Sequence, residues 1–120
     1  MFDHVMFKVK DLKASHRFYT AALAPLGLSV QYEGGGVVVL GPKGAPGLWL
    51  SEGASAGAVH VAFTANTREA VKAFYAAALP AGGKDNGKPG LRPDYGSNYY
   101  GGFVKDPDGN NIEAVCHKEE

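Results

Sequence analysis

Two histidines, His4 and His60, stand 56 residues apart at the heads of two similar segments, and a carboxylate, Glu113, lies near the far end of the chain. Imidazole nitrogens and a carboxylate are donors that first-row divalent ions accept. Two of the former with one of the latter leave coordination positions open for a substrate. A lone histidine on a strand is more often a satisfied polar residue than a ligand. A repeated histidine with a carboxylate turned toward the same cavity is a candidate metal centre, provided that rigid elements hold all three.

The repeat that pairs the histidines is long. With His4 placed on His60, His4-Val5-x-Phe7 meets His60-Val61-x-Phe63. Ala14 then meets Ala70, Phe18-Tyr19 meets Phe74-Tyr75, Ala21-Ala22-Leu23 meets Ala77-Ala78-Leu79, and Gly27 meets Gly83, without a gap. Amphipathic helix composition explains the alanines. It does not explain His-Val-x-Phe followed at equal distance by Phe-Tyr, so the chain reads as a duplication.

Each copy opens with a strand by strict alternation. Val5, Phe7 and Val9 oppose His4, Met6 and Lys8; Val59, Val61 and Phe63 oppose His60, Ala62 and Thr64. The apolar face should pack on a helix and the histidine face should look into a cavity or solvent. Asp11 is a good N-cap for the first helix, and Asn66 with Glu69 three residues on is a capping-box pattern for the second. Leu12, Ser15, Tyr19, Ala22 and Leu26 form one helical stripe; Val71, Phe74, Ala78 and Leu79 form the other. Pro25 and Pro80, with Gly27 and Gly82-Gly83 beyond, suit helix ends.

Three short strands are expected next, at 28–33, 36–41 and 47–51, and 52–57 reads as the link between halves. In the second half a weak strand at 82–85 precedes a Gly/Pro/polar loop at 86–98. A hairpin over 99–105 and 111–117 closes it, turned by Asp106-Pro107-Asp108-Gly109. The plan is α+β: two tandem βαβββ modules (1–52 and 58–117) in one domain spanning 1–120, with curved mixed sheets around a cavity. In the last strand Ile112, Ala114 and Cys116 should take the helix side, which turns Asn111, Glu113, Val115 and His117 inward.

Composition excludes several functions. Twelve basic residues balance twelve acidic ones, whereas a nucleic-acid or anionic-membrane partner calls for a basic face. No apolar run approaches the ~20 residues of a membrane span. The N-terminus carries no charged head with an apolar core, and Cys116 is the only cysteine, so a reducing, cytoplasmic setting is expected.

Further residues could serve the cavity. Of Tyr99 and Tyr100, one must face inward; Tyr100 is assigned the catalytic role of orienting a substrate oxygen or acting as an acid, and Tyr99 is placed against the substrate. Lys8 shares the His4 face and either holds an anionic group or reaches solvent. Arg92, in the polar loop with Lys84 and Lys88, is a substrate-binding candidate set against a solvent-facing alternative. His16 reads as solvated. His117 lies about 13 Å along the strand from Glu113, too far to share an ion. Cys116 reads as a small buried hydrophobe.

The order His-Val-x-Phe, helix, strands, then Asp106-Pro107-Asp108-Gly109-Asn110-Asn111-Ile112-Glu113 resembles the vicinal oxygen chelate superfamily. That group contains glyoxalase I, the bleomycin- and fosfomycin-resistance proteins and the extradiol dioxygenases. The resemblance covers essentially the whole chain and identifies the superfamily better than the reaction. It implies His4, His60 and Glu113 as ligands of a divalent metal (Ni, Zn, Mn or Fe), a homodimer whose site in many members takes strands from both subunits, and a small substrate chelated through vicinal oxygens. The fourth ligand position falls on Trp49, where glyoxalase I has a glutamate, so Trp49 would be an apolar substrate-binding wall. Glu52 lies nearby but on the opposite strand face. The resemblance implies a glyoxalase-like (lactoylglutathione lyase-like) enzyme. Its alternatives are an iron-dependent extradiol-type dioxygenase, a fosfomycin-type thiol transferase in which Lys84, Lys88 and Arg92 imitate a phosphonate-binding cluster, and a metal-free binder of a drug or metabolite.

Overall fold

A computed structural model describes residues 3–54 and 57–119. Part of the expected link between the halves, at 55–56, and the chain ends at 1–2 and 120 lie outside the described residues. The first half runs β1 (Val5–Val9), α1 (Leu12–Leu23), a single 3-10 turn (Ala24–Leu26), β2 (Ser29–Gly34), β3 (Val37–Gly41) and β4 (Leu48–Glu52). The second runs β5 (His60–Thr64), α2 (Arg68–Ala78), β6 (Lys84–Leu91), β7 (Tyr100–Lys105) and β8 (Asn111–Cys116).

The duplication is visible in the topology. One sheet has the order β1-β4-β3-β2 and the other β5-β8-β7-β6, each with one parallel pair (β1 with β4, β5 with β8) and the rest antiparallel. This is the expected βαβββ plan twice over, a small α+β domain with two mixed four-stranded sheets that are not closed into one. Among the described residues no helix is long and apolar enough to cross a membrane.

The alternation predicted for β1 and β5 holds except at its first positions, where Val5 and Val59 are exposed rather than packed on a helix. Val9 is buried and Phe7 half-buried while His4, Met6 and Lys8 are exposed; Val61 and Phe63 are half-buried while His60, Ala62 and Thr64 are exposed. The helices pack on the apolar faces and on each other. Phe18, Tyr19, Ala22, Leu23, Val71, Phe74 and Ala78 join Leu40, Leu50, Val104, Ile112 and Ala114 in one core. Phe18 and Leu23 thus belong to the α1 stripe, and Leu12 and Leu26 only flank it.

The caps follow local chemistry, with one correction. Asp11 accepts from the Ala14 backbone N–H at 3.2 Å, as expected. In α2, however, Thr67 rather than Asn66 is the N-cap, accepting from Ala70 N–H at 3.0 Å. The helix starts one residue later than expected, so Glu69 sits in the first turn, where it pairs with Lys72. Adjacent Asn and Thr both cap well, and only the phase of the first turn selects between them. At the end of α1, Gly27 adopts φ 81° and donates to the Ala24 carbonyl at 3.0 Å, a left-handed stop that a side chain would strain.

A second correction concerns β6. The strand extends to Leu91 through what reads as loop, because its ladder is interrupted at Asp85/Gly87 and Gly87/Gly90 and it contains Pro89. It is an edge strand, where proline and bulges are tolerated.

The 106–110 turn does more than reverse the chain. Gly109 N–H donates to the Asp106 carbonyl at 2.9 Å. The buried Asp106 carboxylate accepts from Asp108 N–H (2.9 Å), Asn110 N–H (2.8 Å), the Asn110 amide (2.9 Å) and, across the module boundary, the Tyr19 hydroxyl (2.5 Å). Asn110 accepts in turn from Val59 N–H at 3.0 Å, and Asp108 from Lys10 N–H at 2.9 Å. The motif most specific to the sequence is therefore a clamp that joins the modules and seats β5 beside β8.

Candidate metal centre

That seat sets the geometry of the two second-module ligands. In the parallel β5–β8 pair, His60 lies opposite Asn111 and Ala62 opposite Glu113, so His60 and Glu113 are diagonal neighbours. Nδ1 of His60 faces the Asn111 carbonyl at 3.1 Å. A carbonyl only accepts, so Nδ1 carries the hydrogen and, in the neutral ring, Nε2 keeps a free lone pair. Nε2 stands 3.2 Å from Oε1 of Glu113.

Glu113 is unusual for a carboxylate: its side chain is 2% exposed, against 50% for His60. Burial of that kind needs partners. Oε1 faces His60, and Oε2 accepts from the Tyr99 hydroxyl. Gly101 makes this possible, since a Cβ there would lie 3.1 Å from Oε2 and 3.2 Å from the Tyr99 ring. Tyr99 packs edge-on against Tyr95 and His117, at 5.2 and 5.1 Å between centroids. Burial, then the hydrogen bond to Glu113 and its charge, push the Tyr99 phenol up to about 12. His117 thus meets the aromatic wall of the site rather than the ligand pair.

Tyr100 is a correction. Its half-buried ring turns to the helix side, against the core and under the Arg68 guanidinium of α2 at 5.2 Å. The inward-facing member of the pair is Tyr99.

Of the first-module candidates, Trp49 and Lys8 lie on the first sheet and His4 immediately before β1. The His4 imidazole contacts Asp3 (Nδ1 to Oδ1, 2.7 Å), and its ring centroid is 6.0 Å from that of Trp49. Trp49 lines a hollow of about 280 Å³ with Gln31, Tyr32, Val39 and Pro46. Lys8 is exposed, its aliphatic stem packed over Gly53. Glu52 is committed elsewhere, accepting from Leu12 N–H at 3.1 Å at the start of α1. His16 contacts Glu33 at 2.9 Å on the outside. Arg92 lies over the Phe103 ring at 5.3 Å, and Phe103 is the cross-strand partner of Glu113.

Within one chain, then, the structure brings together His60, Glu113 and Tyr99, with Arg92 beside them, and leaves Trp49 and Lys8 on the other sheet; His4, just before β1, borders a hollow of about 290 Å³ that Val61, Ala62 and Phe63 of β5 also line. Among the described residues no three His, Cys, Asp or Glu side chains gather closely enough to hold an ion. The donor pair itself fits one. Two unlike donors 3.2 Å apart match the spacing of neighbouring ligands about an ion with bonds near 2.1 Å, and the second nitrogen of His60 is anchored as metal-bound imidazoles usually are.

The fold has known counterparts. Residues 1–114 match the Glyoxalase/Bleomycin resistance protein/Dioxygenase superfamily, and the chain belongs to that family. It is similar to a glyoxalase/bleomycin resistance protein from Albidiferax ferrireducens T118, at 29% identity over 97% of this chain and 98% of that one, with a TM-score of 0.83. A glyoxalase I variant from Zea mays shares 25% identity over 95% of this chain and 46% of its own, with a TM-score of 0.73. Lactoylglutathione lyase from Agrobacterium tumefaciens shares the fold at 18% identity, covering 97% and 92% of the two chains, with a TM-score of 0.70. No curated protein sequence matches.

Proposed function

We propose that the chain is a divalent-metal-dependent, glyoxalase-like enzyme acting on a small substrate with two neighbouring oxygens, and that it works as a cytoplasmic homodimer. The observation that carries this reading is the His60–Glu113 pair: Nε2 and Oε1 converge at 3.2 Å while Nδ1 and Oε2 are engaged by Asn111 and Tyr99. Without an ion, Nε2 and Oε1 pair with each other when the imidazole is protonated; with one, each would offer it a lone pair.

His60 and Glu113 of one chain and His4 of a second copy would hold the metal, drawn from Ni, Zn, Mn and Fe. When bound, it would act as a Lewis acid on the oxyanion that develops in the transition state. Tyr99, in the place expected of Tyr100, holds Glu113 in one orientation and offers its ring edge to the substrate. Glu113 would hold the ion through Oε1, since Oε2 already accepts from Tyr99, and is the candidate catalytic carboxylate. Trp49 stands at the fourth ligand position as an apolar wall, and Lys8 lies on the same sheet face. With one carboxylate fewer than glyoxalase I, the chain is matched as well to the two-histidine, one-carboxylate set of extradiol dioxygenases and fosfomycin-type transferases. A metal-free binder is the second reading, favoured by the aromatic hollow at Trp49 and Tyr32.

Elemental analysis of untagged protein, beside His60→Ala and Glu113→Ala, tests this. About one ion per chain, lost in both variants, is expected, and the element ranks the reactions: iron for oxygen chemistry; nickel, zinc or manganese for isomerisation or transfer. Wild-type protein that takes up no metal on reconstitution would transfer the case to the binder.

A further inference from the structure

Arg92 is laid into the inner face of the second sheet in a way that a solvated arginine is not. Its Nη2 donates to the Lys88 carbonyl at 2.7 Å, and its Cζ sits 5.3 Å from the centroid of the Phe103 ring. Beneath it, β6 has no side chains: a Cβ at Gly87 would lie 3.3 Å from Nη2, and one at Gly90 would lie 3.1 Å from Nη1. The two glycines that hide β6 from sequence reading are the floor on which the guanidinium rests. One of its five N–H donors is used by Lys88, and among the described residues no carboxylate pairs with it. The Asp85 carboxylate on the same strand is taken by Tyr75 and by Gly87 N–H.

The guanidinium borders a recess of about 290 Å³ shared with Asn86, Tyr95, Phe103 and Asn111. It adjoins the candidate metal centre, whose donors lie one residue away across the sheet. Phe103 is the register partner of Glu113, Asn111 that of His60, and Tyr95 packs on Tyr99. A half-buried cation with a fixed planar fork and no carboxylate partner, in a recess otherwise lined by two amides, a phenol and the Phe103 ring, matches a planar anion that accepts two parallel hydrogen bonds. A carboxylate has that shape.

We propose that this recess is a carboxylate subsite and that the substrate is a small organic acid, its carboxylate against Arg92 and its neighbouring oxygens toward His60 and Glu113. The proposal rests on the chelation reading above for the second half of that placement and on Arg92 alone for the first.

Calorimetric titration with protocatechuate and its neutral amide tests it, since both carry adjacent oxygens and only one carries a carboxylate. Zinc-reconstituted wild-type protein should bind the acid about tenfold more tightly than the amide, or better, as a charge-assisted pair implies. Arg92→Gln should bring the two to parity. Arg92→Lys, which keeps the charge and loses the fork, should leave an intermediate preference. Parity in the wild type, or a preference that survives Arg92→Gln, overturns the subsite and leaves chelation standing. Protein that takes up no zinc yet prefers the acid through Arg92 supports the subsite and overturns chelation instead. Failure to bind either probe, with or without zinc, overturns both.

Discussion

Tyr19 of α1 donates its hydroxyl hydrogen to Asp106, 87 residues further along the chain, at 2.5 Å and fully inside the protein. The bond joins the first helix to the turn that seats β5 beside β8. Burial and the charge of Asp106 hold the Tyr19 phenol well above its ordinary value, so it stays a donor. Tyr19→Phe removes one of the four hydrogen bonds to the carboxylate and should cost about 1–3 kcal/mol by denaturant unfolding. Asp106→Ala orphans every donor at once and should cost more, with the fold rather than the metal site as the first casualty.

Tyr99 makes a pH-dependent contribution whose sign is fixed. Its pKa rises from 10.0 to about 12 on folding, so the folded state holds the proton more tightly. The stability it contributes is complete below pH 10 and is lost as pH rises toward 12. In an ultraviolet titration of tyrosinate, Tyr99→Phe should delete a late-titrating group, and Glu113→Gln should bring that group down, since the Glu113 charge is among its causes.

Gly101 is the gap through which Tyr99 reaches Glu113. Gly101→Ala puts a methyl 3.1 Å from Oε2 and 3.2 Å from the phenol ring, so one of them must yield. Metal affinity by competition with a chromophoric chelator should fall about tenfold, the scale seen when a ligand's supporting hydrogen bond is lost. Retained far-ultraviolet dichroism would show that the sheet survived.

If His4 completes the site of a second copy, defects in different ligands should complement. His4→Ala and His60→Ala chains should each bind little metal alone. Unfolded together and refolded, they form hybrids in which one of the two sites has all three ligands. Metal content in the mixture should recover to about a quarter of wild type if pairing is random, which is half the chains in hybrids with half their sites whole. No recovery would show that sharing between copies does not occur.

The α2 cap separates two adjacent residues. Thr67→Ala should destabilise the protein by about 1 kcal/mol, whereas Asn66→Ala should change little, as read by thermal unfolding.

Much of this was decided by the sequence alone. Alternation has a period of two and is local, so His60 and Glu113 could be turned inward before any tertiary contact was known. The Phe18-Tyr19 and Phe74-Tyr75 repeat likewise shows that the two modules share one plan. What local pattern does not carry is phase across an irregular segment. Nothing in the run from Pro93 to Asn98 says which of Tyr99 and Tyr100 enters β7 facing Glu113; the β7–β8 register decides that. Glycine and proline in β6 erase the apolar alternation that marks a strand, because edge pairing relies on the backbone, and Arg92 gains its place only once Gly87 and Gly90 lie beneath it. The distance between His4 and His60 is likewise beyond any sequence pattern. It depends on how the two helices pack and on where the Asp106 clamp holds the modules, and these long-range contacts leave His4 at the head of the first sheet and His60 on the second.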